Sequence, residues 1–295
     1  MSQPEVIARA EPVAGMRRFP LVNALLLVVT ALTTAMASAL FRGFDPIADP
    51  RQLVHGVPFA ATLITILLVH ESGHYLACRR YGVAASLPYF LPAPPNLFPL
   101  GTFGAFIRIR SRFPDRRALF DIGAAGPWAG FVVAVAATAV GLQLSTVLAA
   151  PPSEHTLELG DSLLTTLLTR LVLGTDPDTV MLHPVAFAGW VGLFVTSLNL
   201  LPAGQLDGGH VLYAVTGRRT RLLPALLLAT LLWLGIHGWA GWLLWAAIIT
   251  VMMSLGHPPT QDDAQPLGFG RVVTAGATLA VFLLTFVPEP IRIIP

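Results

Sequence analysis

The chain has 295 residues, of which 54% are hydrophobic and 12% are charged, and its mean hydropathy is +0.69. Soluble domains carry about 25% charged residues, so this composition excludes an ordinary soluble protein and predicts an integral membrane protein embedded in a lipid bilayer. The net charge is +2, arginine is the only basic side chain besides histidine, and the arginines form no cluster typical of nucleic-acid binding. The single cysteine, Cys78, excludes an internal disulfide.

Seven apolar runs predict membrane-spanning helices, because a span needs about 20 mostly apolar residues. The first run begins near Leu21 and contains no early small-residue cleavage site, so we expect no cleavable signal peptide. The fifth and sixth runs are short and meet in a tight hairpin at His237 and Gly238. The predicted fold class is an all-α polytopic membrane protein with six to seven transmembrane helices. The predicted spans are 21–41, 57–77, 119–149, 184–206, 222–236, 239–255 and 269–287.

Arginine placement predicts the orientation of these spans, because cytoplasmic loops carry an excess of basic residues. With a cytoplasmic N-terminus, fourteen arginines lie inside and four outside. We therefore expect an integral protein of a bacterial-type cytoplasmic membrane with its N-terminus in the cytoplasm. The outside arginines are Arg42, Arg51, Arg170 and Arg292. The inside arginines are Arg9, Arg17, Arg18, Arg79, Arg80, Arg108, Arg110, Arg112, Arg116, Arg117, Arg218, Arg219, Arg221 and Arg271.

Two segments between the predicted spans differ from simple loops. Residues 86–118 are rich in proline and glycine and then alternate in TFGAFIRIRSRF, which predicts a small β segment at the inner membrane face. A plain basic loop is the alternative. Residues 157–174 place leucines at helical spacing and predict an amphipathic helix on the outer surface, with a structural role as a lid.

The stretch LLVHESGHYLACRR, residues 67–80, places ionisable side chains inside the second predicted span. His70 and His74 are four residues apart, so one helical face presents both imidazoles. Glu71 lies about 100° round the helix and can reach a metal-bound water. This HExxH spacing is typical of two zinc ligands and a general base. The alternative is a pair of helix histidines satisfied by neighbours, but charged groups within a span are costly and indicate function.

The depth of this motif follows from helix geometry. Thirteen residues separate Val57 from His70, which is about 20 Å of helix. In a hydrocarbon core about 30 Å thick, the motif lies about 10 Å from the inner face. We therefore expect the active site near the cytoplasmic face, from which water reaches it.

A catalytic zinc needs a third protein ligand and an open position for water. Asp207 is the strongest candidate, because Pro202, Gly204, Gly208 and Gly209 break the helix there, and irregular backbone at membrane depth lines a cavity. The alternative is that Asp207 only caps a helix end, and His210 is the rival third ligand. Asn199 is polar within an apolar run, where it either donates to a developing oxyanion or hydrogen-bonds the broken helix.

Two further patterns have weaker implications. Residues 256–263, GHPPTQDD, contain His257, Asp262 and Asp263 and suggest a second metal site, but the spacing matches no standard site and the prolines favour a connector. Residues 123–130, GAAGPWAG, place Gly126 and Gly130 at helix-packing spacing and predict close helix contact.

HESGH in one span, followed by NLLPAGQLDGG at 199–209 in a later span, resembles the site-2 protease family of intramembrane zinc metalloproteases. The resemblance covers residues 57–215, where FDIGAAGPWAGF is similar to the family's small-residue span and 86–118 to its membrane-associated β segment. It implies His70, His74 and Asp207 as ligands of one zinc ion per chain, Glu71 as the base and Asn199 as a transition-state helper. The chain departs from the family in having no PDZ insert and an unassigned set of C-terminal spans.

The sequence and the resemblance together predict a zinc metalloendopeptidase that hydrolyses peptide bonds of a membrane-protein substrate, expected to be single-span, in or near the bilayer. Three regions are predicted: an N-terminal tail and first helix at 1–56, a catalytic core at 57–215, and C-terminal helices at 216–295. One alternative is a zinc-binding transporter or channel, which would spread polar residues along several spans. Another is an inactive membrane scaffold, against which the intact motifs argue. The sequence leaves the oligomeric state and the cleavage site open.

Overall fold

The computed structural model describes residues 20–149, 157–217, 222–255 and 260–293. Within these ranges the chain is mostly helical. Its helices are α1 Leu21–Phe41, α2 Val57–Arg80, α3 Arg116–Gln143, α4 Leu163–Leu173, α5 Pro184–Asn199, α6 Asp207–Thr216, α7 Leu222–His237, α8 Gly241–Leu255 and α9 Phe269–Thr285. Its strands are β1 Tyr89–Pro92, β2 Thr102–Phe106, β3 Thr146–Val147, β4 Leu157–Leu159, β5 Val180–Met181 and β6 Ile291–Ile293.

Three helical segments of the described chain are long and apolar enough to cross a membrane: Leu21–Phe41, Pro50–Arg80 and Arg116–Gln143. The second consists of α2 and the 3₁₀ turn before it. The other apolar helices, α4, α5, α7, α8 and α9, are 10–17 residues long by the same criterion. The chain is thus a helical membrane protein, and the count of six to seven spans stays a prediction.

Two predicted boundaries are wrong. The predicted span 184–206 ends at Asn199, because Pro202 cannot continue a helix and Gly204 takes a positive φ of 57°. A new helix, α6, then starts at Asp207 and includes Gly208 and Gly209, so the prediction that these two glycines also break the helix is wrong. The predicted span 119–149 ends at Gln143, because the chain leaves the helix to form β3, which pairs with β5.

Helices α2, α3 and α5 pack against one another and form the centre of the molecule, and α6 packs on α3. Small residues bring the backbones of α3 and α5 close together. A Cβ atom at Gly141 would lie 2.1 Å from the backbone nitrogen of Ala186, and one at Gly189 would lie 2.4 Å from Thr138 Oγ1. Close backbone approach of this kind replaces hydrophobic burial as the source of helix association in lipid.

An antiparallel hairpin of β1 and β2 lies within residues 86–118. The pairing continues past β2, where the Ser86 amide donates to the Arg108 carbonyl at 3.0 Å. Helix α1 holds the hairpin through two side chains: Asn23 Nδ2 donates to the Pro88 carbonyl at 2.8 Å, and Thr33 Oγ1 donates to the Gly101 carbonyl at 2.7 Å. A short two-stranded hairpin is therefore present beside α1, and the predicted position of residues 86–118 at the inner membrane face stays a prediction.

Helix α4 is amphipathic, and its two faces differ in character. Ser162 and Thr165 form a reciprocal capping box at its start. Leu164 and Thr169 are buried against the protein, whereas other leucines of the helix are exposed. The exposed leucines are Leu163, Leu167 and Leu171. The predicted position of α4 on the outer membrane surface stays a prediction.

The C-terminal helices pack mainly through large side chains. Helices α7 and α8 form the hairpin predicted around Gly238. Leu231, Trp242 and Ile249 are fully buried, and Trp242 Nε1 donates to the Pro288 carbonyl at 2.6 Å. Strand β6 then pairs with β4. The predictions for Arg9, Arg17, Arg18, Arg218, Arg219, Arg221 and His257 lie outside the described residues.

Candidate metal centre

Three side chains that can bind a metal meet between α2 and α6. His70 and His74 are 5% and 7% exposed, and their Nε2 atoms lie 3.1 Å apart. Asp207 Oδ2 lies 3.4 Å from His70 Nε2 and 3.3 Å from His74 Nε2. Within the described ranges this is the one group of three or more His, Cys, Asp or Glu side chains whose ligand atoms all lie within 4.8 Å of one another.

The donor set and its spacing fit zinc. Two imidazole nitrogens and a carboxylate oxygen are typical ligands of Zn²⁺, which binds them at about 2.0–2.2 Å in tetrahedral geometry. In such a tetrahedron neighbouring ligand atoms are about 3.3 Å apart. The observed separations are 3.1, 3.3 and 3.4 Å. Three protein ligands leave a fourth position for water, as in catalytic rather than structural zinc sites.

A backbone carbonyl of α3 orients one of the imidazoles. His74 Nδ1 lies 2.7 Å from the carbonyl oxygen of Ile122. Because a carbonyl only accepts hydrogen bonds, Nδ1 is the protonated nitrogen and the lone pair is on Nε2. This contact fixes both the tautomer and the direction in which His74 presents its ligand atom. No residue type encodes a backbone carbonyl, so the sequence contained no signal for it.

Two glycines of α3 form the surface against which the histidines lie. A Cβ atom at Gly126 would be 2.1 Å from His74 Nε2, and one at Gly130 would be 3.1 Å from His70 Nδ1. A third glycine, Gly73 of α2, lets the backbones of α2 and α3 approach closely. A Cβ atom at this position would lie only 2.5 Å from the Ala125 carbonyl oxygen. The predicted close helix contact is present, and its partners are the metal-binding side chains.

The break between α5 and α6 positions Asp207. Asp207 is the first residue of α6, and its side chain is 16% exposed. The two following glycines allow the start of α6 to pack on the preceding loop: a Cβ at Gly208 would lie 2.0 Å from the Leu200 carbonyl oxygen, and one at Gly209 would lie 2.6 Å from the Gly204 carbonyl oxygen. Any larger residue would push Asp207 away from the histidines.

Glu71 lies beside the group without belonging to it. Its side chain is buried, with 7% exposure, and the backbone N–H of Ile107, the residue after β2, lies close to its carboxylate. The end of the β segment thus lies near the predicted base. Asn199, the last residue of α5, places its Nδ2 atom 3.4 Å from His70 Nε2. Both predicted catalytic side chains therefore adjoin the two histidines.

The rival residues are placed elsewhere. His210 packs its Cβ against Gly123 and its ring near Phe113, with ring centroids 5.8 Å apart, and it is outside the metal-binding group. Asp262 accepts from the Ala264 amide at 2.8 Å, and Tyr213 donates to Asp263 at 2.9 Å. The Gln261 and Asp262 amides also donate to the Phe113 and Pro114 carbonyls, so the described part of the predicted 256–263 segment packs on the fold.

Two buried histidines on a membrane-length helix and a partly buried aspartate at the start of α6 define a helical membrane protein with an internal metal site. The model describing peptidase family M50 matches residues 58–234, a range that contains all of this group. The chain belongs to peptidase family M50.

Curated relatives agree with this membership. The chain is 35% identical over 241 residues to "Probable zinc metalloprotease EGY1, chloroplastic" of Arabidopsis thaliana, covering 79% of this chain and 43% of that protein. It is 32% identical over 195 residues to the Arabidopsis EGY2 protein of the same description, covering 63% of this chain and 33% of that protein. It is 30% identical over 298 residues to "Probable zinc metallopeptidase EGY3, chloroplastic" of Arabidopsis thaliana, covering 91% of this chain and 49% of that protein. The chain thus spans less than half the length of each.

Proposed function

We propose that the chain is an intramembrane zinc metalloprotease that hydrolyses peptide bonds of membrane-protein substrates. The observation that supports it most is the meeting of His70, His74 and Asp207 at zinc-ligand spacing, with buried Glu71 alongside. Membership of peptidase family M50 and the names of the relatives support the same activity.

In this proposal His70, His74 and Asp207 hold one zinc ion, which supplies an acidified water and polarises the scissile carbonyl when it is bound. Glu71 accepts a proton from the attacking water and returns it to the leaving amine. The Ile107 amide, which lies close to the Glu71 carboxylate, is proposed to orient it for both transfers. The Asn199 amide donates to the oxygen on which negative charge develops during attack.

The β1–β2 hairpin is proposed to hold the substrate. A transmembrane helix must unwind before its carbonyls become accessible, and strand addition to a sheet edge stabilises an extended peptide. Two features support this role: the sheet has two strands within the described chain, which leaves edges for a third strand, and the residue after β2 lies close to Glu71. The proposed substrate is a single-span protein, whose helix can unwind without disturbing other spans.

The finer organisation is also a proposal. We assign residues 57–215 as the catalytic core, which overlaps the family match at 58–234. The arginine bias supports a cytoplasmic N-terminus and a zinc site nearer the cytoplasmic face. The bacterial-type membrane stays a prediction, since the curated relatives are named as chloroplastic.

Co-expression with a panel of single-span membrane proteins tests the activity. We expect the wild-type chain to cut at least one of them, Glu71→Gln to leave it uncut, and Asn199→Ala to slow cutting by about 10²–10³-fold. Both variants keep zinc, because neither residue is a ligand. Fragments that form equally with wild type and Glu71→Gln would refute the catalytic role. Zinc binding without cleavage of any substrate would favour a transporter or scaffold.

A further inference from the structure

A cavity of about 430 Å³ lies between the C-terminal half of α2, the first half of α3 and the start of α9. It is separate from the metal-binding group in its lining, which includes none of the three ligands. One end is polar and contains Arg80, Tyr81 and Arg271, whereas the rest is lined by apolar and small side chains, among them Leu76 and Trp128. One end of the cavity is therefore polar and charged, and the other end is apolar.

The polar end has a net positive charge. Arg271 is held by Asp121 through two contacts of 2.8 Å, and its Nη2 atom also donates to Tyr81 Oη at 3.1 Å. Asp121 thus neutralises Arg271 and fixes its guanidinium. Arg80 also lines the cavity, is exposed, and forms no ion pair with any described residue. Its charge also attracts the nearby Asp121 carboxylate, so this end of the cavity holds two arginines and one aspartate, a net charge of +1.

The apolar end reaches inward along α2. Gly73 and Arg80 both line the cavity and are seven residues apart, about 10 Å along the helix axis. Ala125 on α3 and Trp128 complete this part, and the Trp128 indole is fixed by a 3.0 Å hydrogen bond from Nε1 to Thr278 Oγ1. A ligand that fills the cavity must therefore carry a negative charge at one end and about 10 Å of apolar chain at the other.

We propose that this cavity binds one anionic phospholipid, with its phosphate beside Arg80 and Arg271 and the start of an acyl chain beside Leu76 and Trp128. The position agrees with this ligand: with Val57 at the outer edge of a hydrocarbon core about 30 Å thick, Arg80 lies about 35 Å along α2, just beyond the core, where lipid phosphates are expected. Basic pockets between membrane helices are a recurring form of headgroup recognition. A small anion would leave the apolar part of the cavity unfilled.

The bound lipid would stabilise the α2–α3 contact that holds the metal-binding histidines. Gly73, which lines the cavity, is the residue before His74, and it packs so closely on α3 that a Cβ would lie 2.5 Å from the Ala125 carbonyl oxygen. A ligand spanning α2, α3 and α9 therefore ties together the two helices on either side of this contact.

Native mass spectrometry of the full chain in detergent, with added phosphatidylglycerol or phosphatidylcholine, tests the proposal. We expect one phosphatidylglycerol to stay bound at concentrations where phosphatidylcholine does not. Arg80→Gln should weaken this binding by about 10-fold, because it removes one charge-assisted hydrogen bond to the phosphate. The matched control is Arg79→Gln, on the same helical turn and exposed but outside the cavity lining, which should change binding far less. Equal losses in both variants would overturn the proposal in favour of diffuse surface attraction.

A second variant and a competitor separate the lipid from its headgroup. Thr274→Leu fills the inner part of the cavity and leaves both arginines in place, so it should abolish phosphatidylglycerol binding while zinc content stays unchanged. Inorganic phosphate at millimolar concentration should not displace the lipid, because it cannot occupy the apolar part. Full displacement by phosphate, or unchanged lipid binding in Thr274→Leu, would overturn the proposal.

Discussion

The glycines of α3 and of α9 do different things in two helices of similar apolar composition. Gly126 and Gly130 of α3 leave so little room that a Cβ would lie 2.1 Å and 3.1 Å from atoms of His74 and His70. Gly270 and Gly276 of α9 have nothing within 4 Å of the same hypothetical atom. Glycine is therefore a requirement of the metal site in one helix and only a small residue in the other.

The C-terminal helices pack through large buried side chains instead of glycines. Leu231, Trp242 and Ile249 are fully buried there together with Leu201, which follows α5. A cluster of large side chains can relax around a change, whereas a backbone in contact with a metal ligand cannot. We therefore expect a substitution that adds one methyl group to weaken zinc binding strongly at the α2–α3 contact and to have little effect in α9.

The largest effect is expected from the third ligand. Asp207→Ala removes a donor 3.3–3.4 Å from both histidine nitrogens, so zinc affinity should fall by more than about 100-fold and proteolysis should be lost. His210→Ala, outside the metal-binding group, should keep measurable zinc and cleavage, with a loss of at most about 10–100-fold. Titration with a fluorescent zinc chelator distinguishes the two. The opposite ranking would make His210 the ligand.

The contrast between the glycines is tested by adding one methyl group to each helix. Gly126→Ala places a carbon on the ligand nitrogen of His74 and should weaken zinc binding about 10–100-fold or more. Gly276→Ala meets open space and should leave zinc content unchanged, with stability equal or up to about 1 kcal/mol higher from helix propensity. Both are measured as metal content and melting temperature of purified protein. Equal tolerance of the two substitutions would contradict the contrast.

The smallest effect is expected in the C-terminal cluster. Trp242→Phe removes the indole N–H and leaves the Pro288 carbonyl without its hydrogen-bond donor. We expect the protein to lose about 1–3 kcal/mol of stability and to keep its zinc content. Trp233→Phe is the matched control, because Trp233 is 59% exposed and should be near neutral. Thermal unfolding in detergent measures both. Loss of zinc in Trp242→Phe would show that the two regions are coupled.

Much of the site could be predicted because its determinants are side chains at fixed spacing. The four-residue interval of His70 and His74 requires a shared helical face, and Pro202 and Gly204 marked the break that presents Asp207. The Ile122 carbonyl could not be predicted, because every residue has one and only the fold selects it. The sequence indicated close packing at Gly126, but not that its partner is His74.

The ends of the helices were harder to predict than their existence. Apolar residues continue past Gln143 and Asn199, so hydropathy alone extends both helices too far. Helix α3 ends shortly before β3, which pairs with β5 about 34 residues later in the chain. The local sequence does not indicate such a long-range pairing. Helix α5 stops before Pro202, which the sequence marked as a helix break, although the apolar run that defined the predicted span continues to Leu206.

Zinc content per chain, measured on purified wild type, His74→Ala and Glu71→Gln, tests the central claim most directly. The account predicts about one zinc in wild type and Glu71→Gln, because the ligands are His70, His74 and Asp207, and no stably bound zinc in His74→Ala. Loss of zinc from a folded Glu71→Gln chain, or full retention in His74→Ala, would contradict the account.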